Sequence, residues 1–389
     1  MNILYVATDV ELPSNKGSST HTLEVASGLK SLGNEVQILC RRSSGDQAGE
    51  GSINGMTVHR VFRGIIAPVG GDRSSPPGRG IKRNLLVGLV YDAFLHTFHS
   101  FFCAYKAVKI TRKARIDALL ERGSSLGAGA IASLLTGLPL VTEVIDYRHV
   151  KYSLIQAGRV IAYRRDVLKS DLPPDRLRIV PAGANTDLFS VSRERDIGLV
   201  GYAGSFRAWH GVETLLQAAR ILKDKGQPAR FVMIGPGNED CCRLADELGV
   251  LNYINFTGAL KYENLPRILG RCSILVAPFN PSVDPYMKEH GFIFSPLKIF
   301  EYMSLSRAII SSNLEKIREV ISHQNTGILV SPGSSEEIAL AIGQLISRPV
   351  LAERLGKRAR RTVLRLYSWE RLSKIINTAL LDSIPGRSE

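Results

Sequence analysis

Residues 2–7, N-I-L-Y-V-A, are apolar without alternation. A strand with that pattern is covered on both faces, as in a parallel sheet flanked by helices. A helix follows from about Thr20, with Leu23, Ala26, Leu29 and Leu32 inward and Gly33 as its stop. Residues 35–40, E-V-Q-I-L-C, form the next strand. Strand, helix, strand in so short a stretch means a parallel sheet with crossover helices, hence an α/β protein. Outward from there the alternation continues, with strands over 56–62, 117–120, 138–145, 159–162 and 177–180. A second series starts near Asp196. Its strands fall at 197–202, 229–234, 253–256, 273–277 and 308–311, with helices near 211–224, 238–248, 261–271, 296–305 and 314–321. After Gly327 the chain turns mostly helical, through 334–347, 351–366 and 369–382. Two doubly wound domains in tandem place ligands at strand C-terminal ends, in the cleft between the domains.

With 389 residues, 44% of them hydrophobic, the chain can bury two full cores. Cys40, Cys103, Cys241, Cys242 and Cys272 have neither disulfide-framework nor zinc spacing, which points to a reducing cytoplasm. The N-terminus reads as a buried strand, not a signal peptide. No run of 18 apolar residues suggests a membrane span. Net charge is +14, and residues 1–170 hold 22 Lys and Arg against 13 Asp and Glu. Such a half needs an anionic partner. No nucleic-acid motif accompanies the charge, so nucleic acid is not the expected partner.

Residues 63–80 carry five Gly and three Pro and read as an irregular loop. Beyond it, 82–115 sets Leu85, Leu86, Leu89, Phe94, Phe98, Phe101 and Phe102 between Lys82, Arg83, Lys106, Lys109, Arg112, Lys113 and Arg115. A buried helix explains the apolar residues but not the basic flanks. We therefore expect the segment to meet an anionic membrane surface peripherally, on the inner face.

The chemistry concentrates in Ser295–Met303, S-P-L-K-I-F-E-Y-M. Ser suits a helix N-cap and Pro the first helical position. Lys298 then faces the positive end of the helix dipole, which an anion bound there would offset. Glu301 lies one turn deeper on roughly the same face, where a carboxylate suits sugar hydroxyls. The layout fits a nucleotide diphosphate-sugar; the plainer alternative is a capped helix with a Lys–Glu surface pair. Gly204–Gly211, G-S-F-R-A-W-H-G, follows a strand and sets Arg207 and His210 where cations would meet a pyrophosphate, or simply makes a turn anchored by Trp209. The loop after the first strand holds K-G-S-S-T-H, from Lys16 to His21, where Gly17 would let backbone approach a ligand. Neither F-V-M-I-G-P-G (231–237) nor G-S-S-L-G-A-G-A (123–130) is a dinucleotide fingerprint. No Asp-x-Asp pair and no cluster with metal spacing occurs.

Together these pieces resemble the retaining glycosyltransferases of family 4, the glycosyl transferases group 1, whose GT-B fold has two Rossmann-like domains. The likeness includes I-V-P-A-G-A-N-T-D-L-F (179–189), I-N-F-T-G-A-L (254–260), T-G-I-L-V-S-P-G (326–333) and Y-S-W (367–369), in that order with the motifs above. It implies an acceptor-side domain over 1–185, with about 369–389 packing back onto it, and a nucleotide-sugar-binding domain over 186–368. Ser295, Pro296, Leu297 and Lys298 would form the phosphate-facing helix start, and Glu301 would bind ribose hydroxyls. Arg207 and His210 would approach the diphosphate. Gly235 and residues 257–260 would line the base pocket, and Gly17 would close over the donor. His21 and Asp146 would lie on the acceptor side. Arg207, Lys298 and Asp146 are the catalytic candidates. Where many members carry a second glutamate, eight residues before Glu301, this chain has Ile293.

The resemblance implies hexosyl transfer from a UDP- or GDP-sugar to a hydroxyl with retained configuration. No cofactor or metal is expected, and the acceptor is a saccharide or lipid-linked hydroxyl of envelope, exopolysaccharide or glycolipid synthesis. The alternatives are a nucleotide-sugar 2-epimerase, a catalytically silent donor-binding scaffold and, against the missing fingerprint, a nicotinamide-dependent oxidoreductase.

Overall fold

The computed structural model describes residues 1–389 apart from 15, 43–48, 62–84, 147–148, 169–170, 193, 228, 238, 293–296 and 387–389. For 85–96, 286 and 290 it describes the backbone alone. The loop expected at 63–80, and Ile293, Ser295 and Pro296, lie outside the described residues. The chain divides into two compact domains, Met1–Pro181 with Glu370–Glu389, and Ala182–Trp369.

The first domain runs β1 (Asn2–Glu11), α1 (Gly17–Ser31), β2 (Glu35–Arg41), β3 (Gly49–Ile53), β4 (Met56–Val61), α2 (Leu85–Ala114), β5 (Ala118–Arg122), α3 (Ala128–Thr136), β6 (Leu140–Val144), α4 (Lys151–Gln156), β7 (Arg159–Ala162) and β8 (Leu177–Ile179). Among the described residues its sheet has the order β3-β4-β2-β1-β5-β6-β7-β8. Every pairing is parallel except β3 with β4. Ile3 to Ala7 are fully buried, as the unbroken apolar run of β1 requires. The order reverses direction beside β1, so right-handed crossovers put α1 on one face of the sheet and α2, α3 and α4 together on the other. There α2 packs on α3, and α3 on α4.

Two expectations change here. Helix α1 starts three residues earlier than expected and buries Thr22, Val25, Ala26 and Leu29; Leu23 is only half-buried, and Leu32 falls past the last turn and is exposed. Strand β3 was not expected. Its hairpin to β4 turns at Asn54-Gly55, both with positive φ, as a two-residue hairpin turn demands.

The second domain runs β9 (Asp196–Ala203), α5 (Val212–Asp224), β10 (Arg230–Ile234), α6 (Glu239–Glu247), β11 (Ile254–Gly258), α7 (Leu265–Leu269), β12 (Cys272–Ala277), α8 (Pro285–His290), α9 (Leu297–Ser304), β13 (Ala308–Ser312), α10 (Glu315–Arg318), β14 (Ile328–Val330), α11 (Ser335–Ser347) and α12 (Pro349–Leu366). Its sheet has the order β11-β10-β9-β12-β13-β14, all parallel. The α/β class with two parallel-sheet domains therefore holds. The helix expected over 261–271 is instead a short 3-10 turn at Tyr262–Asn264 followed by α7. Pro266 has no N–H to continue an earlier helix and suits the start of a new one.

Helix α13 (Trp369–Leu381) returns to the first domain, where Asn34 donates to Asn377 at 2.8 Å. The two ends of the second domain are tied side by side. The Ala184 N–H bonds Tyr367 O at 2.9 Å, and the Trp369 N–H bonds Ala184 O at 3.1 Å. Among the described residues no helix is long and apolar enough to cross a membrane.

Candidate active site

In the second sheet the strand order reverses between β9 and β12, and ligands of open α/β sheets bind outside the strand ends at such a point. The loop after β9 is clipped to the loop after β12. Trp209 stacks on Phe279 with ring centres 6.1 Å apart, and the Asn280 N–H bonds Trp209 O at 2.8 Å. Gly211 closes this clip with φ of 72°, and a Cβ there would stand 1.7 Å from Pro278 O. Only glycine fits. After β10, Gly235 presses on the same loop, since a Cβ would lie 1.9 Å from Gly204 O. Its N–H bonds Gly258 O at 3.0 Å, which brings the 257–260 segment alongside.

Lys298, in the first turn of α9, reaches into this corner. Its Nζ lies 4.5 Å from the centre of the Tyr202 ring and 5.2 Å from that of Phe279. It stands 3.4 Å from the Tyr202 hydroxyl. Burial disfavours the ammonium, and Glu301 offsets this only in part, so the Lys298 pKa falls to about 7. Glu301 is buried one turn deeper on α9.

His210 is buried, and its Nδ1 stands 2.6 Å from Ser205 O. A carbonyl only accepts, so Nδ1 carries the proton and donates. Burial, with the Lys298 and Arg207 charges nearby, pushes the imidazole down to about 2, against the opposing Ser205 hydrogen bond. His210 is therefore a neutral group here and not the cation its place in the sequence suggests. Arg207 is exposed at the head of the same loop. Arg207, His210, Gly235, Lys298 and Glu301 thus gather at one end of the second sheet, with Leu297 opening α9. Tyr202 and Phe279 were not expected there, although an aromatic closing a buried strand beside a glycine loop was the available signal.

In the first domain, Gly17 opens α1 and is exposed, and His21 lies one turn on, buried. The Tyr163 hydroxyl donates to Glu143 Oε1 at 3.2 Å and stands 3.0 Å from His21 Nε2, which is 3.4 Å from Glu143 Oε1. Tyr5 donates to the other Glu143 oxygen. Burial would raise the Glu143 pKa, but His21, Tyr5 and Arg122 outweigh it and hold the carboxylate ionised. Burial also holds His21 below its ordinary range, despite Glu143. Beside this cluster Arg122 donates to Asp9 at 3.1 Å, and Ser124 to the same oxygen at 2.6 Å. Asp146 is half-buried and close enough to favour the Arg122 charge. Sequence reasoning missed Tyr5, Tyr163, Glu143 and Arg122. The signal was a charge inside a fully buried strand, which needs a partner. Among the described residues no group of three or more His, Cys, Asp or Glu is placed to hold a metal ion.

Residues 186–362 match the family model described as glycosyl transferases group 1. That match lies within the second domain and covers a little under half of the chain. An alpha-D-kanosaminyltransferase from Streptomyces kanamyceticus is 28% identical over 166 residues, 42% of this chain and 40% of that enzyme. An MMP alpha-(1->4)-mannosyltransferase from Mycolicibacterium hassiacum is 26% identical over 200 residues, 51% of this chain and 46% of that enzyme. Each match thus spans less than half the length of the relative. Among solved structures, Anabaena HepE in complex with UDP is similar over 98% of this chain and 99% of that one, with a TM-score of 0.68 and 15% identity. HepE has also been solved with UDP-glucose. At that identity the likeness speaks for the fold alone, which is the two-domain GT-B architecture.

Proposed function

We propose that this chain is a group 1 glycosyltransferase that moves a hexosyl unit from a UDP- or GDP-sugar to a hydroxyl acceptor with retained anomeric configuration. The single observation that carries this reading is the Lys298 amine at the reversal point of the second sheet, one turn from buried Glu301. Departure of a nucleoside diphosphate develops negative charge that must be stabilised. Lys298, Arg207 and the start of α9 supply cationic and dipolar stabilisation there without a metal ion. Glu301 would hold the ribose hydroxyls. Arg207 and Lys298 would be the catalytic groups of the donor side, with Asp146 and His21 on the acceptor side. The departing phosphate would itself take the acceptor's proton. The HepE complexes support a nucleotide-sugar donor. The acceptor we infer is a saccharide or lipid-linked hydroxyl of envelope, exopolysaccharide or glycolipid synthesis. The basic, aromatic segment 82–115 supports work at an anionic membrane surface on the cytoplasmic side.

The test is Glu301→Gln, measured by calorimetric titration with UDP- and GDP-sugars. Loss of a charge-assisted hydrogen-bond pair costs roughly 1.5–3 kcal/mol, so affinity should fall about 10- to 150-fold with the fold intact. Unchanged affinity for both donors would remove the assignment. Binding without transfer across an acceptor panel would leave a silent scaffold, and a free epimerised sugar nucleotide would mark an epimerase.

A further inference from the structure

We propose that the outer face of the α2–α3–α4 layer is a docking face for an anionic lipid bilayer. This deepens the membrane reading above, on which it rests, from one segment to a face shared by three helices. Phe98, Phe101 and Tyr105 of α2, Leu134 and Leu135 of α3 and Ile155 of α4 are each between 55% and 72% exposed. Among the residues whose side chains are described, Tyr152 of α4 is the one further exposed Phe, Tyr or Trp. Every exposed Phe, Tyr or Trp among them therefore lies on α2 or α4. The three helices pack in a row on one side of the first sheet, so these side chains share one solvent-facing layer. Contiguous exposed apolar surface of this kind marks an interaction site.

The charge on the face selects the partner. Residues 97–114, 128–136 and 151–156 contain no Asp or Glu. They carry Lys106, Lys109, Arg112, Lys113 and Lys151, all exposed. Lys106 and Lys109 lie over Phe102 and Tyr105, at 5.7 and 5.5 Å from the ring centres, and Lys113 stands 3.5 Å from Glu50. Apolar and aromatic tips interleaved with cations suit the boundary between acyl chains and anionic headgroups. A second copy of this chain suits the face poorly, because a two-fold interface would set the same cations against themselves.

The experiment is flotation of the full chain with vesicles of phosphatidylcholine alone or mixed with phosphatidylglycerol, at low and high salt. Wild type should float with the mixed vesicles at low salt and lose most of that binding at high salt. Leu134→Ser with Leu135→Ser, both outside 82–115, should weaken partitioning by about tenfold or more, as should Lys106→Glu with Lys109→Glu. All four side chains are exposed, so the fold should persist, and UDP titration should give wild-type affinity in each variant. That titration separates this proposal from the donor assignment, which could fail while flotation persists. Wild type staying with the soluble fraction at every composition would overturn the docking face. So would a Leu134/Leu135 variant that floats as wild type does, which would return the contact to α2 alone. Self-association of wild type, seen by sedimentation and lost in that variant, would assign the face to a second copy instead.

Discussion

Lys298 carries a pH signature that its neighbours do not. Its amine is held between two aromatic rings with a pKa near 7, so above that pH the free protein presents it neutral. An anion docking beside it favours the ammonium and raises that pKa. Binding of UDP above about pH 7 should therefore take up a proton, and affinity should fall by up to about tenfold per pH unit. Titration calorimetry in buffers of different ionisation enthalpy reads the proton directly, and Lys298→Arg should abolish both effects. Binding without proton uptake in wild type would show that another group meets the phosphates. His210 adds nothing to this profile, because its pKa near 2 keeps it neutral throughout. Lys298 and Glu301 were legible in the sequence, because helix-start chemistry is local. The neutrality of His210 was not, since it follows from burial and from cations on other elements. The Glu143 cluster was equally hidden, its members standing on β1, α1, β5 and β6 and just past the end of β7.

A carboxylate inside a buried strand sets the second pH effect. Glu121 of β5 is fully buried, accepting from the Gly129 N–H at the start of α3 at 2.9 Å, while its other oxygen has no hydrogen-bond partner. Burial outweighs those contacts and raises its pKa from 4.5 to about 7. The folded chain thus holds a proton that the unfolded chain has lost between those values, so stability falls as pH rises from about 4.5 through about 7. The loss is roughly 3 kcal/mol. Glu121→Gln should remove that slope, which thermal melts of both proteins at acid and at mildly alkaline pH would show. Parallel slopes would place the ionised carboxylate in a better-solvated position than β5 gives it. At this scale the sequence read well wherever an apolar run was unbroken. It read poorly where elements are short or glycine-rich. Strand β3 holds two glycines, but the Asn54-Gly55 turn beside it was a usable hairpin signal. Strand β14 has only three residues, too few to show a period.

At the scale of the molecule, the order of several modest motifs pointed to the likeness that the second domain bears to the glycosyl transferases group 1 model, where no single one could. The division of labour among charges makes a further statement testable. On the proposal that Lys298 and Arg207 meet the leaving diphosphate, sugar transfer should continue in excess chelator. Complete loss in EDTA, restored by Mn²⁺ or Mg²⁺, would refute metal independence. The path of the chain has a consequence for its synthesis. The second domain is one continuous stretch, whereas the first is interrupted by it and is completed by Glu370–Glu389. On the ribosome, the first domain waits without α13 until the whole second domain has emerged, and the second domain can close before the first. The part of the protein made first is thus the last to be finished.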